Sequence, residues 1–557
     1  MNVTVALTGT LPAIIIVAAI LTALVSIFSL WLYRRAVVRA MRAEADVVPP
    51  PVASTPASSR ALSGSPPALT IIDSTPKPDE TSQGGVAYGQ AMHSLKQAVL
   101  AYATGGVVFA LIMALAWVIA AGRGFSVVRF LLLLSYYSWP IVLVVSLLTP
   151  TGRSRIIFVY FAIVLAFVGI ALIRNPDDLT VGQLVYLWLF ANGPGTLLLL
   201  AFLSRRVRAV GPLVLAFMVV AVTGAVIIVS VVGDSEGILR GVAVIGSMLG
   251  LGATTIFILL YLIGFILFGV LGWWLLHWLG RRYQEKRMSD QSISLDALWL
   301  LFGVVQSFTL VFEGWAWIFA GFVAFVAYKL ALRIGFTALS RERGDSAKAR
   351  LLLLLRVFSL GQRSERLFDI ISNVWLRSGS IGLIAGPDLV TSTVEPHEFL
   401  NFLGGRLSRQ FVQGEADLEQ RVSHMDTRPD PDGRHRVNEF FCRSDTWQMT
   451  MRRLVGRSDA ILMDLRSFSK SNQGCTYELR QLFNSIALNR VILVIDDTTD
   501  RFFLEMTVGD IWQNLEPSSP NIELSRPSVR CFSAKQQSPA EMKRLLHILF
   551  SARTAIA

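Results

Sequence analysis

Two short and almost purely apolar runs, Ala460-Ile-Leu-Met-Asp-Leu465 and Arg490-Val-Ile-Leu-Val-Ile-Asp496, flank the stretch Cys475–Leu488, whose apolar residues recur at helical spacing. Apolar runs of this length predict buried strands, and an amphipathic helix between them predicts a β-α-β unit. The same alternation occurs upstream, where Leu351–Phe358 predicts a strand that is followed by a helix. We therefore expect the C-terminal part of the chain to be an α/β domain with a central parallel sheet.

The remaining elements of this domain are predicted from the same patterns. A strand is expected at Ile381–Ala385, a helix at Glu398–Val412, a polar loop or hairpin at His424–Asn438, and helices at Trp447–Val455 and Ala540–Phe550.

Polar residues follow each predicted strand. In open parallel sheets, ligands bind in the crevice at the carboxyl ends of the strands. We therefore expect cofactor-binding or substrate-binding side chains at four of these positions, namely Ser359, Arg363, Asp388 and Ser469. No GxGxxG and no Walker lysine loop occurs there, which excludes a Rossmann dehydrogenase and a P-loop ATPase of the standard kinds.

The composition of the whole chain indicates an integral membrane protein. Of 557 residues, 53% are hydrophobic and 16% are charged, whereas soluble globular proteins carry about 25% charged residues. Residues 341–557 contain 29 Lys and Arg against 26 Asp and Glu, so residues 1–340 hold the remaining 22 against 13 of the totals of 51 and 39. The excess basicity thus belongs to the apolar part, as the positive-inside rule produces, and we expect no nucleic-acid partner.

Apolar runs and linker composition divide the chain into five regions. They are an N-terminal transmembrane anchor at 1–33, a Pro/Ser-rich flexible cytoplasmic linker at 34–95, a polytopic bundle of about eight spans at 96–336, a junction at 337–350, and the cytoplasmic α/β domain at 351–557. The predicted spans are Leu11–Tyr33, Gln97–Ala121, Phe130–Leu148, Ile156–Ile173, Val181–Leu203, Pro212–Val232, Thr254–Leu279, Leu295–Phe312 and Trp315–Leu332.

The charges of the loops predict the topology. Basic residues cluster in alternate loops, and acidic residues occupy the loops between them. This bias places the N-terminus outside and the C-terminal domain in the cytoplasm of a multi-pass membrane protein.

Ionisable side chains are nearly absent from the predicted spans, which argues against a transporter or channel with a regulatory tail. Glu313 lies either in an exposed turn or at a site inside the membrane. The run Asn192-Gly193-Pro194-Gly195 predicts either a kinked helix or an unwound binding segment of the kind that transporters use.

The segment Asp459-Ala-Ile-Leu-Met-Asp-Leu-Arg-Ser-Phe-Ser-Lys-Ser-Asn-Gln-Gly-Cys-Thr-Tyr-Glu478-Leu resembles the core of a Toll/interleukin-receptor (TIR) domain. It has a hydrophobic strand, a Ser-rich loop, and a helix that opens with a Cys-x-x-Glu-Leu pattern. The flanking elements fit as well, so the resemblance covers Leu351–Asp497, about a quarter of the chain. It implies a TIR-like/flavodoxin-like domain of the kind found as a cytoplasmic tail in bacterial polytopic membrane proteins.

The resemblance implies a catalytic role for Glu478. In catalytic TIR domains the glutamate at this position supports cleavage of NAD between nicotinamide and ribose, which would make NAD a substrate and the chain a hydrolase without a bound cofactor. A fixed carboxylate suits this chemistry because it stabilises an oxocarbenium-like ribose. The alternative is structural, because a negative side chain early in a helix is favoured by the helix dipole.

Other candidate groups have simpler explanations. Cys442, Cys475 and Cys531 lack CxxC spacing, which predicts reduced thiols; Cys475 is either a nucleophile at a helix start or a packed cysteine. A His- and Asp-rich stretch resembles a metal site by composition, but its spacing fits no known rule, and we expect no metal at His424, Asp426, Asp430, Asp432 and His435.

The sequence thus predicts a signalling or defence effector that is anchored in the lipid bilayer and that either cleaves NAD or mediates assembly. We expect it to form a homo-oligomer through the bundle or the TIR-like domain. Two alternatives remain: a non-catalytic protein-interaction module on a membrane scaffold, and a transporter or channel with a regulatory domain.

Overall fold

The computed structural model describes residues 3–42, 69–73, 83–122, 124–149, 152–174, 180–202, 205–311, 313–343, 349–356, 362–386, 394–535 and 538–552. The chain divides into two compact units. A helical unit comprises Met1–Trp31, Gln97–Arg343 and Val394–Leu400, and an α/β unit comprises Leu32–Lys96, Gly344–Thr393 and Asn401–Ala557.

The described part of the chain from Val3 to Arg343 contains eleven α-helices. They are α1 Val3–Arg42, α2 Gln83–Ala120, α3 Val127–Tyr137, α4 Trp139–Leu148, α5 Arg153–Arg174, α6 Val181–Phe202, α7 Arg205–Asp234, α8 Glu236–Met248, α9 Ala253–Gln284, α10 Asp290–Val311 and α11 Ala320–Arg343. A short 3₁₀ helix, Trp315–Phe319, precedes α11.

Six segments of these helices are long and apolar enough to cross a membrane. Within the described residues they are Ile20–Met41, Gln83–Ala120, Val127–Leu148, Arg153–Arg174, Ala253–Gln284 and Ala320–Leu339, with a shorter apolar segment at Val210–Ala225. Each of the nine predicted spans overlaps a helix. The prediction of many apolar helices in this part of the chain is therefore confirmed, and six segments within the described residues are long enough to cross a membrane.

Two ambiguous positions in the helical unit are settled by the structure. Glu313 is exposed in a turn, which agrees with the first of its two interpretations. Helix α6 runs without interruption through Asn192 and Gly195, so the unwound binding segment is wrong. The buried Asn192 amide donates to the Tyr136 carbonyl at 3.4 Å, and this contact to a neighbouring helix gives the side chain a structural role.

The α/β unit contains seven strands and the remaining helices. In chain order they are β1 Thr70–Asp73, β2 Arg350–Arg356, α12 Gln362–Trp375, β3 Gly379–Ile384, α13 Pro396–Leu403, α14 Glu415–Ser423, β4 Val437–Phe440, α15 Trp447–Arg457, β5 Ala460–Asp464, α16 Gln473–Ser485, β6 Val491–Ile495, α17 Arg501–Gln513, β7 Ser528–Ser533 and α18 Pro539–Ser551. Helix α13 contributes residues to both units, as α1 and α2 also do. Leu407–Gln410 and Leu488–Arg490 are 3₁₀ helices.

The strands form one parallel sheet in the order β1-β7-β6-β5-β2-β3-β4. Apolar side chains cover both faces, which is why β2, β5 and β6 are runs of Leu, Ile, Val and Met. On one face Leu353, Met463 and Leu493 pack with helices α14 to α17. On the other face Leu352 and Leu462 pack with α12, α18 and the first turns of α2. The prediction of a central parallel sheet is confirmed.

Several elements differ from the predicted ones. The helix expected at Glu398–Val412 ends at Leu403, because Gly404 and Gly405 follow and Gly405 adopts a φ of +70°, a conformation that terminates helices. Five elements were not predicted, namely β1, β4, α14, α17 and β7. Within the stretch 34–95, predicted as a linker, Thr70–Asp73 pairs with β7 and α2 begins at Gln83.

Gly379 is required where β2 and β3 meet. A Cβ atom at this position would lie 2.1 Å from the Arg350 carbonyl oxygen, a backbone atom that cannot move away without opening the β2–β3 ladder. We expect Gly379→Ala to lower the free energy of unfolding of the α/β unit by about 1–3 kcal/mol. Gly456→Ala in α15 is the matched control, since nothing lies within 4 Å of its added methyl group.

Hydrogen exchange of the peptide Arg350–Arg356 in the full-length chain measures this effect. Exchange should be faster in Gly379→Ala and unchanged or slower in Gly456→Ala, because alanine favours helix over glycine by about 0.5–1 kcal/mol. Equal exchange in the two variants would contradict the close packing of β2 and β3.

Candidate functional site

Two neighbouring strands end where the order of the sheet reverses. Arg356 closes β2, Asp464 closes β5, and the two residues are register partners across the β2–β5 ladder. Strand β3 lies on one side of β2 in the sheet, and β5, β6 and β7 lie in turn on its other side. In open parallel sheets this reversal creates the crevice in which ligands bind. The carboxyl ends of β2 and β5 are therefore the candidate site.

A buried ion pair orients the loop after β5. The Arg466 guanidinium donates to both carboxylate oxygens of Asp464, from Nε at 2.7 Å and from Nη2 at 2.6 Å. Nη2 also donates to the Arg363 carbonyl oxygen at 3.1 Å. Arg466 is fully buried. A bidentate pair fixes the orientation of the guanidinium relative to the carboxylate. The pair thus ties this loop to the beginning of α12.

Glu478 lies in the second turn of α16 and is 3% exposed. Its Oε2 atom has no hydrogen-bond partner among the described residues. Burial raises the pKa of Glu478 from 4.5 to about 8, although the nearby Arg356 guanidinium acts in the opposite direction. At neutral pH the group is therefore mostly a neutral acid. An unpartnered and perturbed carboxyl group at the end of a parallel sheet is typical of a functional site.

Cys475 precedes Glu478 by one helical turn. Its Sγ atom lies 4.0 Å from the Arg356 carbonyl oxygen, and the side chain is buried. Burial raises the pKa of the thiol, and the acidic groups of Glu478 and Asp464 raise it further. A protonated thiol is a weak nucleophile, so these contacts favour the packed cysteine over the nucleophile.

Two of the predicted binding residues are described by the structure. Arg363 begins α12 and forms an ion pair with Asp496, which follows β6. The Ser469 hydroxyl lies 2.9 Å from that of Ser471 and 3.2 Å from the Asn472 side-chain oxygen. Both residues therefore follow strand ends as predicted, and both have protein partners. Ser359 and Asp388 lie outside the described residues.

Two basic residues of the site were not identified from the sequence. Arg356 is the last residue of β2, Arg466 lies two residues beyond the end of β5, and both are buried. Arginine is rarely buried without a charged partner. An arginine at the end of a predicted buried strand therefore indicates that an acidic residue lies nearby. In addition, Ser467, next to Arg466, has a φ of +60°, which is uncommon for a residue other than glycine and is often found at functional sites.

The His- and Asp-rich stretch has structural partners. The Asp430 carboxylate accepts two hydrogen bonds from Arg436, at 3.0 and 2.8 Å. His435 Nδ1 lies 3.0 Å from the Thr427 carbonyl oxygen. Throughout the described ranges, no group of three or more His, Cys, Asp or Glu side chains is placed to hold a metal ion.

No protein family model, curated protein or solved structure matches this chain.

The raised pKa of Glu478 predicts a pH-dependent change in stability. Above about pH 4.5 the unfolded chain loses this proton, whereas the folded chain keeps it until about pH 8. Ionisation therefore opposes folding increasingly between these two values. We expect Glu478→Gln to become more stable than the wild type across this range, by an amount on the order of a few kcal/mol at pH 8.

Pulse proteolysis in urea on the full-length chain at pH 4.5, 6 and 8 measures the difference. Glu505→Gln is the control, because that side chain is half exposed on α17. A gap between Glu478→Gln and wild type that stays constant with pH would show that Glu478 titrates normally.

Proposed function

We propose that this chain is a membrane-anchored signalling or defence effector whose cytoplasmic α/β domain is TIR-like and cleaves NAD. The observation that carries this proposal is the carboxyl group of Glu478, buried with an unpartnered oxygen at the end of the sheet where its order reverses. This is the residue that the TIR resemblance marks as catalytic.

The strand order is that of a doubly wound sheet, with which a TIR-like domain is compatible. Numbered along the chain, β2 to β7 have the spatial order 3-2-1-4-5-6; without the edge strand β4, the remaining five have the flavodoxin-like order 2-1-3-4-5. In such sheets the ligand lies between the first and third of these strands, here β2 and β5. Glu478 belongs to the helix that follows β5, as expected for the Cys-x-x-Glu-Leu helix of the resemblance. Strands β1 and β4 extend the sheet at its two edges.

The chemistry requires one ionised carboxylate. When the bond between ribose C1 and the nicotinamide nitrogen breaks, the ring leaves with the electron pair as a neutral molecule and needs no proton. The Glu478 carboxylate stabilises the positive charge that develops on the ribose. Water then adds to C1 and releases a proton, so the products are ADP-ribose, nicotinamide and H⁺.

Binding groups are proposed around this carboxyl group. Arg363, Ser469, Ser359 and Asp388 stay proposed contacts for NAD. Arg466 is added to them, because its buried Nη1 atom has no hydrogen-bond partner among the described residues and can donate to a phosphate oxygen.

The proposed location is the bacterial inner membrane, with the N-terminus outside and the α/β domain in the cytoplasm. The six apolar helices are compatible with a multi-pass protein. Holding the domains in one bilayer raises their effective concentration, so that activity would depend on self-association.

A second candidate is a non-catalytic assembly module with the same fold. The burial of Glu478 favours it, because a substrate must displace neighbouring groups to reach a side chain that is 3% exposed. The two candidates differ in whether NAD is consumed.

We expect the full-length chain, reconstituted at high density in lipid vesicles, to consume NAD and release nicotinamide. The full-length chain is needed because β1 and the first turns of α2 belong to the α/β unit. Glu478→Gln should lower the rate by on the order of 10²- to 10³-fold, the usual effect of losing one group that stabilises developing charge. Chromatographic measurement of nicotinamide gives the rate.

Glu505→Gln serves as the matched glutamate control and should keep the wild-type rate. Equal rates in Glu478→Gln and wild type would remove Glu478 from catalysis, and no nicotinamide release by the dense wild type would favour the assembly module.

The pH dependence of kcat/KM tests the same assignment independently. The ionised form of Glu478 is the active one, and its pKa in the free protein is about 8. We therefore expect kcat/KM to rise about tenfold per pH unit below pH 8 and to level off above it. A flat profile between pH 6 and 8 would contradict catalysis by this carboxylate.

A further inference from the structure

An ion pair lies inside the helical unit, where the sequence predicted almost no charge. The Lys329 ammonium of α11 donates to Asp296 Oδ2 of α10 at 2.6 Å. The Asp296 side chain is 10% exposed and that of Lys329 is 41% exposed. Ionisable side chains were expected to be nearly absent from the spans; Asp296 is the second residue of the predicted span Leu295–Phe312, and its partner belongs to another helix.

Three polar atoms beside this pair lack a hydrogen-bond partner within the described ranges. They are Asp296 Oδ1, Trp299 Nε1 and Tyr328 Oη. Trp299 and Tyr328 are fully buried, and their ring centroids are 5.1 Å apart. Asp296 also interacts electrostatically with Tyr328. We refer to Asp296, Trp299, Tyr328 and Lys329 as the α10–α11 polar cluster.

Two glycines of helix α2 leave room for the aromatic rings of the cluster. The absence of side chains at Gly105 and Gly106 of α2 allows the two rings to approach, since an added Cβ would lie 3.0 Å from the Tyr328 ring and 2.8 Å from the Trp299 ring. A second aromatic group in this unit is built differently: Trp139 Nε1 donates to Thr196 Oγ1 at 2.7 Å. Elsewhere in the helical unit, Ser146 Oγ and Asn192 Oδ1 also lack a partner within the described ranges. The polar cluster is characterised by having three such atoms next to an ion pair.

We propose that the α10–α11 polar cluster is a hydrated proton-binding site inside the helical unit. The chemistry of the three atoms fits water, because the indole N–H donates, the carboxylate oxygen accepts, and the phenol does either. A buried water molecule makes about three such hydrogen bonds. The water connects Asp296 to solvent, from which the carboxylate takes up a proton.

The difference in exposure between the two charged residues explains how the pair opens. When Asp296 binds a proton, the Lys329 ammonium loses its partner. Lysine has a long apolar stem, and a side chain that is two-fifths exposed can carry its charge to a polar region. The described titratable groups that interact with the pair or its neighbour are Tyr328 of α11 and Tyr102 of α2. The site is independent of the proposed NAD chemistry.

Radiolytic hydroxyl labelling of the full-length wild-type chain in lipid nanodiscs tests for the water, because ordered water supplies the radical locally. Trp299 and Tyr328 should be oxidised several-fold faster than Trp139 and Tyr160, which are also buried and whose polar atoms have partners. Labelling of Trp299 and Tyr328 at or below the rate of these controls would overturn the hydrated site.

Infrared difference spectra between pH 8 and pH 5 test for the proton. In a Glu478→Gln background, which removes the buried carboxyl group of the α/β unit whose pKa is raised to about 8, a carboxylic acid band that shifts in D₂O should be present and should disappear with Asp296→Asn. The charge-neutral double variant Asp296→Asn/Lys329→Met should also lose it while keeping the helical content. Spectra that do not change with Asp296→Asn would show that this residue binds no proton.

Discussion

The α/β unit depends on how charge is held at the carboxyl ends of β2 and β5. These strands lie in the middle of a sheet with apolar cover on both faces, so any charge at their ends must find a partner within the protein. Asp464 finds it in Arg466 through a bidentate pair. Glu478 lies near Arg356, and its Oε2 atom has no hydrogen-bond partner among the described residues. Because burial raises the pKa of Glu478 more than Arg356 lowers it, the carboxyl group keeps its proton at neutral pH.

Local patterning was sufficient to predict the central strands and the position of Glu478. β2, β5 and β6 are short, almost continuous apolar runs, which are typical of strands buried on both faces. β7 was not predicted because its sequence, SVRCFS, mixes polar and apolar residues. β1 was missed because its four residues follow a Pro/Ser-rich stretch and pair with a strand more than 450 residues away in sequence, a non-local contact without a local signal.

The polar partners of the site could not be predicted for the same reason. Arg363 was expected to bind a ligand, but its pairing with Asp496 joins residues 133 positions apart. In the helical unit, hydropathy identified spans and could not identify a pair such as Asp296–Lys329, whose members lie on different helices. That pair gives the helical unit an ionisable group of the kind on which proton pathways depend. It is an observation in favour of the transport alternative, against which the scarcity of ionisable residues in the predicted spans argued.

The proposed role of Glu478 requires a buried acid that contacts bound NAD. This can be measured by a ¹³C NMR titration of the Glu478 carboxyl group in the full-length chain, with the signal assigned by Glu478→Gln. We expect a midpoint near pH 8 without ligand and a lower midpoint with a non-hydrolysable NAD analogue, because its nicotinamide cation favours the carboxylate. A midpoint near the ordinary value of 4.5 that the analogue leaves unchanged would rule out this role.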